Sequence, residues 1–159
     1  MVAEYVGHLS PVTALKFDVD NTNLLHSCGS DRRRVTYDIM RRLYIIGHQV
    51  DNGVLTSITQ KSNGEHETAV GVSDGRVIVF DTDLPDPVHV IAPINIEPIN
   101  CVAASPSGRF LATVSRSGDM VVYSVADTVE KLQQCHVHSA PAQSVTWTPD
   151  EKQIVSVGK

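Results

Sequence analysis

The sequence predicts an all-β fold, a β-propeller assembled blade by blade, on three observations. The first is an interval. Tyr37, Phe80 and Tyr123 recur every 43 residues, as do the turn positions Asp31, Asp74 and Ser117 and the strand positions Ser27, Val70, Thr113 and Ser156. A period of about 40 to 45 residues, with several strands in each unit, marks propeller blades. The second is composition: each unit reads as short β-branched runs separated by Gly, Asp, Asn and Pro clusters. The third is that no segment sustains a helical apolar period of roughly 3.6 residues, so almost no helix is expected.

The first unit has strands at Val12-Thr13-Ala14-Leu15-Lys16-Phe17, Leu24-Leu25-His26-Ser27-Cys28 and Val35-Thr36-Tyr37, with turns at 18–23 and 29–31. The second has Val54 to Ile58, Glu67 to Val72 and Arg76 to Phe80, with Ser73-Asp74-Gly75 as a tight turn. The third has Ile99 to Ala103, Phe110 to Val114 and Met120 to Tyr123, turning at Ser105-Pro106-Ser107-Gly108 and Ser117-Gly118. The fourth has Gln143 to Trp147, a turn at 148–151, and Gln153 to Val157. Trp147 and Phe17, on first strands, read as core. Pro85, Pro87, Pro93 and Pro98 predict an extended, irregular connection between the second and third units, open to a binding contact.

The chain has 159 residues and is 42% apolar, enough for a sizeable core. No apolar run approaches the roughly 18 residues of a membrane-spanning helix. The first residues lack the basic and apolar regions of a secretory signal. Cys28, Cys101 and Cys135 are too scattered for a disulfide framework, which favours a reducing compartment, cytosol or nucleus. Net charge is −5 but uneven: residues 1–42 carry six basic and five acidic groups, residues 43–159 seven and thirteen. The acidic bulk argues against nucleic-acid binding over the whole chain.

These residues resemble the WD40 family. There a repeat opens near Gly-His, carries Ser or Thr in its second strand and Asp in the next turn, and ends its third strand with Trp-Asp. The first unit matches with Gly7-His8, Ser27, Asp31 and Tyr37-Asp38. The second matches with Gly47-His48, Asp74 and Phe80-Asp81; the third keeps Thr113 and Tyr123; the fourth has His136 or His138, and Ser156. No unit has Trp in the Trp-Asp slot, Val70 replaces the hydroxyl in the second, and Ser117 replaces Asp in the third. The resemblance implies a buried hydrogen-bond chain of His8, Ser27, Asp31 and Tyr37 in the first blade. It implies a binding scaffold of repeat units near 7–43, 47–84, 94–126 and, in part, 138–159, with no cofactor. The stretch from Trp147 to Gly158 is similar to WD40 proteins of cilia and flagella, which implies a cytoplasmic, cytoskeletal setting and tubulin or an axonemal protein as partner.

Tyr5-Val6 reads as the outer strand of a preceding blade, and the last unit stops after two strands. Propellers close with about four to eight four-stranded blades. The expectation is therefore an incomplete ring of three full blades and part of a fourth, completed by further chain or by another copy.

Two constellations could carry chemistry. Gly71-Val72-Ser73-Asp74-Gly75 fits the G-x-S-x-G pattern of a nucleophile elbow, but a strand follows instead of a helix, and Cys28-Gly29-Ser30-Asp31-Arg32 fills the same slot. A hairpin turn is the expectation over a serine hydrolase. Cys135-His136-Val137-His138 offers metal-ligand residue types without a second pair at zinc spacing, so a structural histidine is expected.

Arg32, Arg33, Arg34, Arg41 and Arg42 hold five of the thirteen basic residues. They form either a solvated turn or a basic patch facing an acidic protein. Arg34 and Thr36 fill slots taken by Val77 and Val79 in the second unit, so that face is expected to be less buried or functional. Arg32, Arg33, Arg41 and Arg42 are the candidate partner contacts. The alternative is a subunit of an RNA-processing or other nucleic-acid-associated complex; no aromatic platform accompanies the arginines, which disfavours it.

Overall fold

The computed structural model describes residues 4–61 and 66–159. It contains fourteen strands and no helix among the described residues. Strands β1 (Val12–Phe17), β2 (Leu24–Gly29), β3 (Arg33–Asp38) and β4 (Leu43–Gln49) form one sheet in chain order. The second sheet is β5 (Leu55–Gln60), β6 (Glu67–Val72), β7 (Val77–Asp81) and β8 (Pro87–Ile91). The third is β9 (Ile99–Ala104), β10 (Phe110–Ser115), β11 (Asp119–Val125) and β12 (Val129–His136), and β13 (Ala142–Trp147) pairs with β14 (Ile154–Gly158). Every pairing is antiparallel, and the four sheets do not close into a ring.

The 43-residue positions share one register. Ser27 lies between Leu15 and Val35, Val70 between Ile58 and Ile78, and Thr113 between Val102 and Val121. Ser156 faces Val145 in the fourth sheet. The sheets stack through their inner strands, β1 on β5, β5 on β9 and β9 on β13. Cys28, Leu55, Val70, Val72, Ile78 and Phe80 fill the first junction. Val77, Val79, Ile99, Leu111, Val121 and Tyr123 fill the second, and Ala112, Val114, Ala142 and Val145 the third.

Each inner strand is bulged at its second residue. Thr13, Thr56, Asn100 and Gln143 are skipped in the pairing with the neighbouring strand. A bulge re-aims the extra side chain, and the first three use it to reach the next sheet. Thr13 Oγ1 donates to Leu55 O at 2.6 Å, Thr56 Oγ1 donates to Ile99 O, and Asn100 Nδ2 donates to Ala142 O at 2.7 Å.

Three sequence expectations are corrected. The proline-rich stretch contains strand β8, because Pro87 is the first residue of an edge strand, where a missing N–H breaks no ladder bond. Tyr5 and Val6 are not in a strand. Phe17 is 61% exposed, since among the described residues β1 packs chiefly on β2 of its own sheet and β5 of the next, whereas Trp147 packs on the third junction and donates from Nε1 to Ala103 O at 3.1 Å.

Candidate functional site

Gly7 opens the first blade's polar cluster. A Cβ there would collide with the Tyr37 phenol oxygen, so only glycine admits the ring. His8 follows, with Nδ1 3.0 and 3.1 Å from the Asp31 carboxylate oxygens and Nε2 2.6 Å from Ser27 Oγ. With a carboxylate on Nδ1, that nitrogen carries the proton and Nε2 accepts from the serine. Asp31 also accepts from Leu9 N at 2.8 Å and from Arg33 N at 3.2 Å. Burial alone would raise the Asp31 carboxyl; the bonds from His8, Leu9 and Arg33 outweigh it and hold the group below its usual range. Burial likewise raises the Tyr37 phenol, against a hydrogen bond with Ser27.

Asp, His and Ser in that order look like a hydrolytic relay, but Ser27 is 1% exposed, inside β2. The four groups tie residues 7–9 to β2 and to the β2–β3 turn. The other blades differ. In the second, Gly53, at φ 80°, lies against Val72 and Asp74, and Arg76 clamps Asp74 at 2.7 Å, Asp51 at 3.2 Å and Asn52 O at 2.8 Å. His48 is not in that cluster. It is buried in β4, its Nε2 donates to Leu84 O at 2.6 Å, and its ring lies 4.8 Å from Phe80. In the third, Ser117 donates to Asp119 Oδ2 at 2.9 Å and His136 binds Asp119 Oδ1 at 2.8 Å. In the fourth, His138 Nε2 meets Ser156 Oγ at 3.0 Å. His136 and His138 thus have separate partners. Ser73 Oγ accepts from Val54 N at 2.9 Å, as a turn serine does.

The four candidate arginines fall into two pairs. Arg32 (φ 65°) donates to Asp51 O at 2.6 Å, and Arg33 donates from Nε to Gln49 Oε1 at 2.9 Å. Arg41 and Arg42 occupy the β3–β4 turn; the Arg41 side chain is 78% exposed, with Nε 3.8 Å from Asp38. Six-residue β3 separates the pairs by about 17 Å. The expectation that Arg34 and Thr36 lie on a less buried face is corrected: both are 0% exposed. Arg34 donates to Thr82 Oγ1 at 3.2 Å, across the first junction. Sequence reasoning missed the bulged Thr13, Thr56 and Asn100; their signal is a polar residue recurring at the second place of each inner strand.

The family model of the WD domain, G-beta repeat, matches residues 1–33 and 92–124. Over 157 residues, 94% of this chain, the sequence is 28% identical to human Echinoderm microtubule-associated protein-like 1, covering 18% of that protein. It is 31% identical over 98 residues, 60% of the chain, to 16% of WD repeat-containing protein 1-B of Xenopus laevis. It is 24% identical over 110 residues, 67% of the chain, to 26% of COMPASS component SWD1 of Saccharomyces cerevisiae. The chain spans about a fifth of the length of the first of these relatives. The matched segments fall where the 43-residue register and the chain-ordered blades already put repeats, so the chain carries WD40-type repeats in those two segments and is similar along its length to WD-repeat proteins.

Proposed function

We propose that the protein is a non-catalytic scaffold for protein–protein contacts in a cytoskeletal, microtubule-associated assembly, with the repeat units near 7–43, 47–84, 94–126 and 138–159 as its frame. The observation that carries this is how the polar groups are used. The His8, Ser27, Asp31 and Tyr37 cluster is spent on holding the frame, while Arg41 and Arg42 stand exposed at a rigid hairpin. Side chains on loops held by a rigid frame suit recognition. The setting is drawn from similarity to a microtubule-associated protein-like relative over 94% of the chain, and acidic tubulin is the partner that positive hairpins would seek; a ciliary setting is one case of it.

The test is co-sedimentation with polymerised tubulin. The parent chain should pellet with polymer and release as salt rises. Replacing Arg32, Arg33, Arg41 and Arg42 by Glu should abolish pelleting with the thermal transition retained. Equal pelleting of both proteins refutes the arginine contact, and no pelleting of either refutes the microtubule setting. The second reading is a subunit of an RNA-processing or other nucleic-acid-associated complex, which the same clustered arginines would serve; steeply salt-dependent RNA binding lost on neutralising Arg32 and Arg33 would support it.

A further inference from the structure

The outer strands of the three full blades protect their free edges unequally. Strand β8 has five residues and begins with Pro87, which offers no N–H. Strand β12 exposes Glu130, Lys131, Gln133 and Gln134 along its edge. Proline and charge are the usual devices that keep an edge from pairing. Strand β4 has neither. It pairs with β3 and with no other strand among the described residues. Leu43, Tyr44 and Ile45 are consecutive and 55%, 52% and 45% exposed. All three outer strands are bulged, at Ile45, Val88 and Leu132, so the bulge does not distinguish them.

Charge marks both ends of β4. Arg41 and Arg42 precede its first residue. At its far end Arg33 bonds Gln49, the last residue, beside a hollow of 140 Å³ lined by Arg33, Tyr44, Gly47, His48 and Gln49. The acids nearby are engaged: Asp31 with His8, and Asp38 with Arg41 and the Arg41 N–H. The pairs that β3 separates are therefore the two ends of one unprotected apolar edge.

We infer that β4 is a docking edge for an extended segment of a partner protein, apolar in its middle and acidic at both ends. This deepens the scaffold reading and rests on it. Such a segment would add a strand through main-chain hydrogen bonds. Its acidic ends would meet Arg41 and Arg42 on one side and the Arg33 hollow on the other. The same charges disfavour a second copy. An antiparallel β4 pair would set Arg41 and Arg42 against the other copy's Arg33, and a parallel pair would set like against like.

The probe is a synthetic peptide of about nine residues, matched to seven-residue β4, with Glu-Asp at each end of an alternating Val-Thr centre. Its binding is read by fluorescence anisotropy and by amide hydrogen exchange over residues 43–49. Saturable binding, protection of those amides and loss on swapping the acidic ends for Lys are expected. Ile45→Lys on the exposed edge, and separately Arg33→Glu with Arg41→Glu, should each weaken binding about tenfold or more. No protection of residues 43–49, or unchanged binding by Ile45→Lys, overturns the docking edge; tubulin sedimentation by the same Ile45→Lys protein then judges the scaffold reading independently. Dimerisation of the parent chain that Ile45→Lys abolishes would also overturn it, by making a second copy the occupant.

Discussion

Arg34 Nη1 lies 3.4 Å from His48 Nδ1, with no exposure of the arginine to solvent. Its Nη2 lies 3.3 Å from His26 Nδ1, so the guanidinium is held between two imidazoles. The bonding fixes both rings as neutral. His48 Nε2 donates to Leu84 O, leaving Nδ1 to accept, and His26 Nε2 donates to Asp18 Oδ2 at 2.9 Å, leaving Nδ1 to accept from Thr36 and Arg34. Asp18, His26, Arg34 and His48 form a polar chain along the first blade, and Arg34 and His48 carry it across the first junction to Thr82 and Leu84 O. The second junction is packed mainly from apolar side chains, with a buried Lys61 that pairs with Glu67 and donates to Val125 O at 3.3 Å.

Acid should loosen that junction. His26 faces Asp18 from the β1–β2 turn, Thr36 and Arg34 from β3, and the charges of His66 and Arg34; His48 faces Arg34, Asp81 and Asp86. Burial, then the Arg34 charge, lower His26 to about 4 despite the bond to Asp18, and burial first lowers His48 as well. A histidine depressed in the fold contributes stability that is complete above its unfolded pKa, about 6.5, and is lost as pH falls toward the folded value. His26 alone should cost about 3 kcal/mol between pH 7.5 and pH 4. Urea unfolding across that range checks it, with His26→Gln as the control that flattens the slope. A pH-independent midpoint down to pH 4 would sink this account.

The same cation gives a substitution with an unusual sign. Among the described residues Arg34 Nε has no partner and no carboxylate lies within ion-pair distance of the guanidinium. The equivalent residue in the third blade is Met120. Replacing a buried charge by a packed apolar side chain is commonly neutral or stabilising by about 1–4 kcal/mol. Arg34→Met should therefore hold or raise the melting temperature at pH 7. Arg34→Ala, which leaves a cavity, should lower it by several degrees. If Arg34→Met destabilises as much as Arg34→Ala, the guanidinium bonds to His26, His48 and Thr82 are worth more than its burial costs.

The inner three strands of each blade were legible because their apolar runs are bounded by turn residues at a constant interval. Ser27 and Val70 differ in chemistry yet hold the same register, so spacing carried more than residue type. The outer strands were not legible. β12 exposes most of its residues, so burial imposes no pattern on it, and β8 begins at a proline. Arg34 misled because a charged side chain reads as surface, and its two imidazole neighbours come from positions 26 and 48 on different strands. His48 misled in another way. Its Gly-His pair copies Gly7-His8, and Gly47 likewise makes room for a tyrosine phenol, that of Tyr44, but His48 lies within β4 and turns to Leu84 O instead of Asp74.

The two histidines that do reach a strand hydroxyl should differ in worth. His8 binds Ser27 and both oxygens of Asp31, while His138 has Ser156 at 3.0 Å. Removing one partner of a buried polar pair costs about 1–3 kcal/mol, with charged partners at the upper end. His8→Ala strands a carboxylate and should fall at that end; His138→Ala should cost about 1 kcal/mol. Guanidinium titrations of the two variants rank them. An equal loss would mean that Asp31 contributes nothing beyond the serine bond.

The bulged inner strands lead to a prediction about how blades hold one another. Thr13 Oγ1 lies 3.1 Å from Cys28 O in its own sheet and 2.6 Å from Leu55 O in the next, and Thr56 Oγ1 stands likewise between Gly71 O and Ile99 O. A hydroxyl has one proton to give, and the shorter contact directs it across the junction. Valine keeps the shape and β propensity of threonine but removes the donor, leaving the next blade's carbonyl unpaired. Thr13→Val and Thr56→Val should each cost about 1–3 kcal/mol, whereas Thr→Ser at either place should cost less because the donor survives. The hydrogen-exchange signature should be local: faster exchange in β1 and β5 for Thr13→Val, and in β5 and β9 for Thr56→Val. If the valine variants unfold at the same denaturant concentration as the parent, the bulges only shape the strands, and apolar packing alone joins the blades. If serine fails as badly as valine, the threonine methyl rather than its proton is what the junction uses.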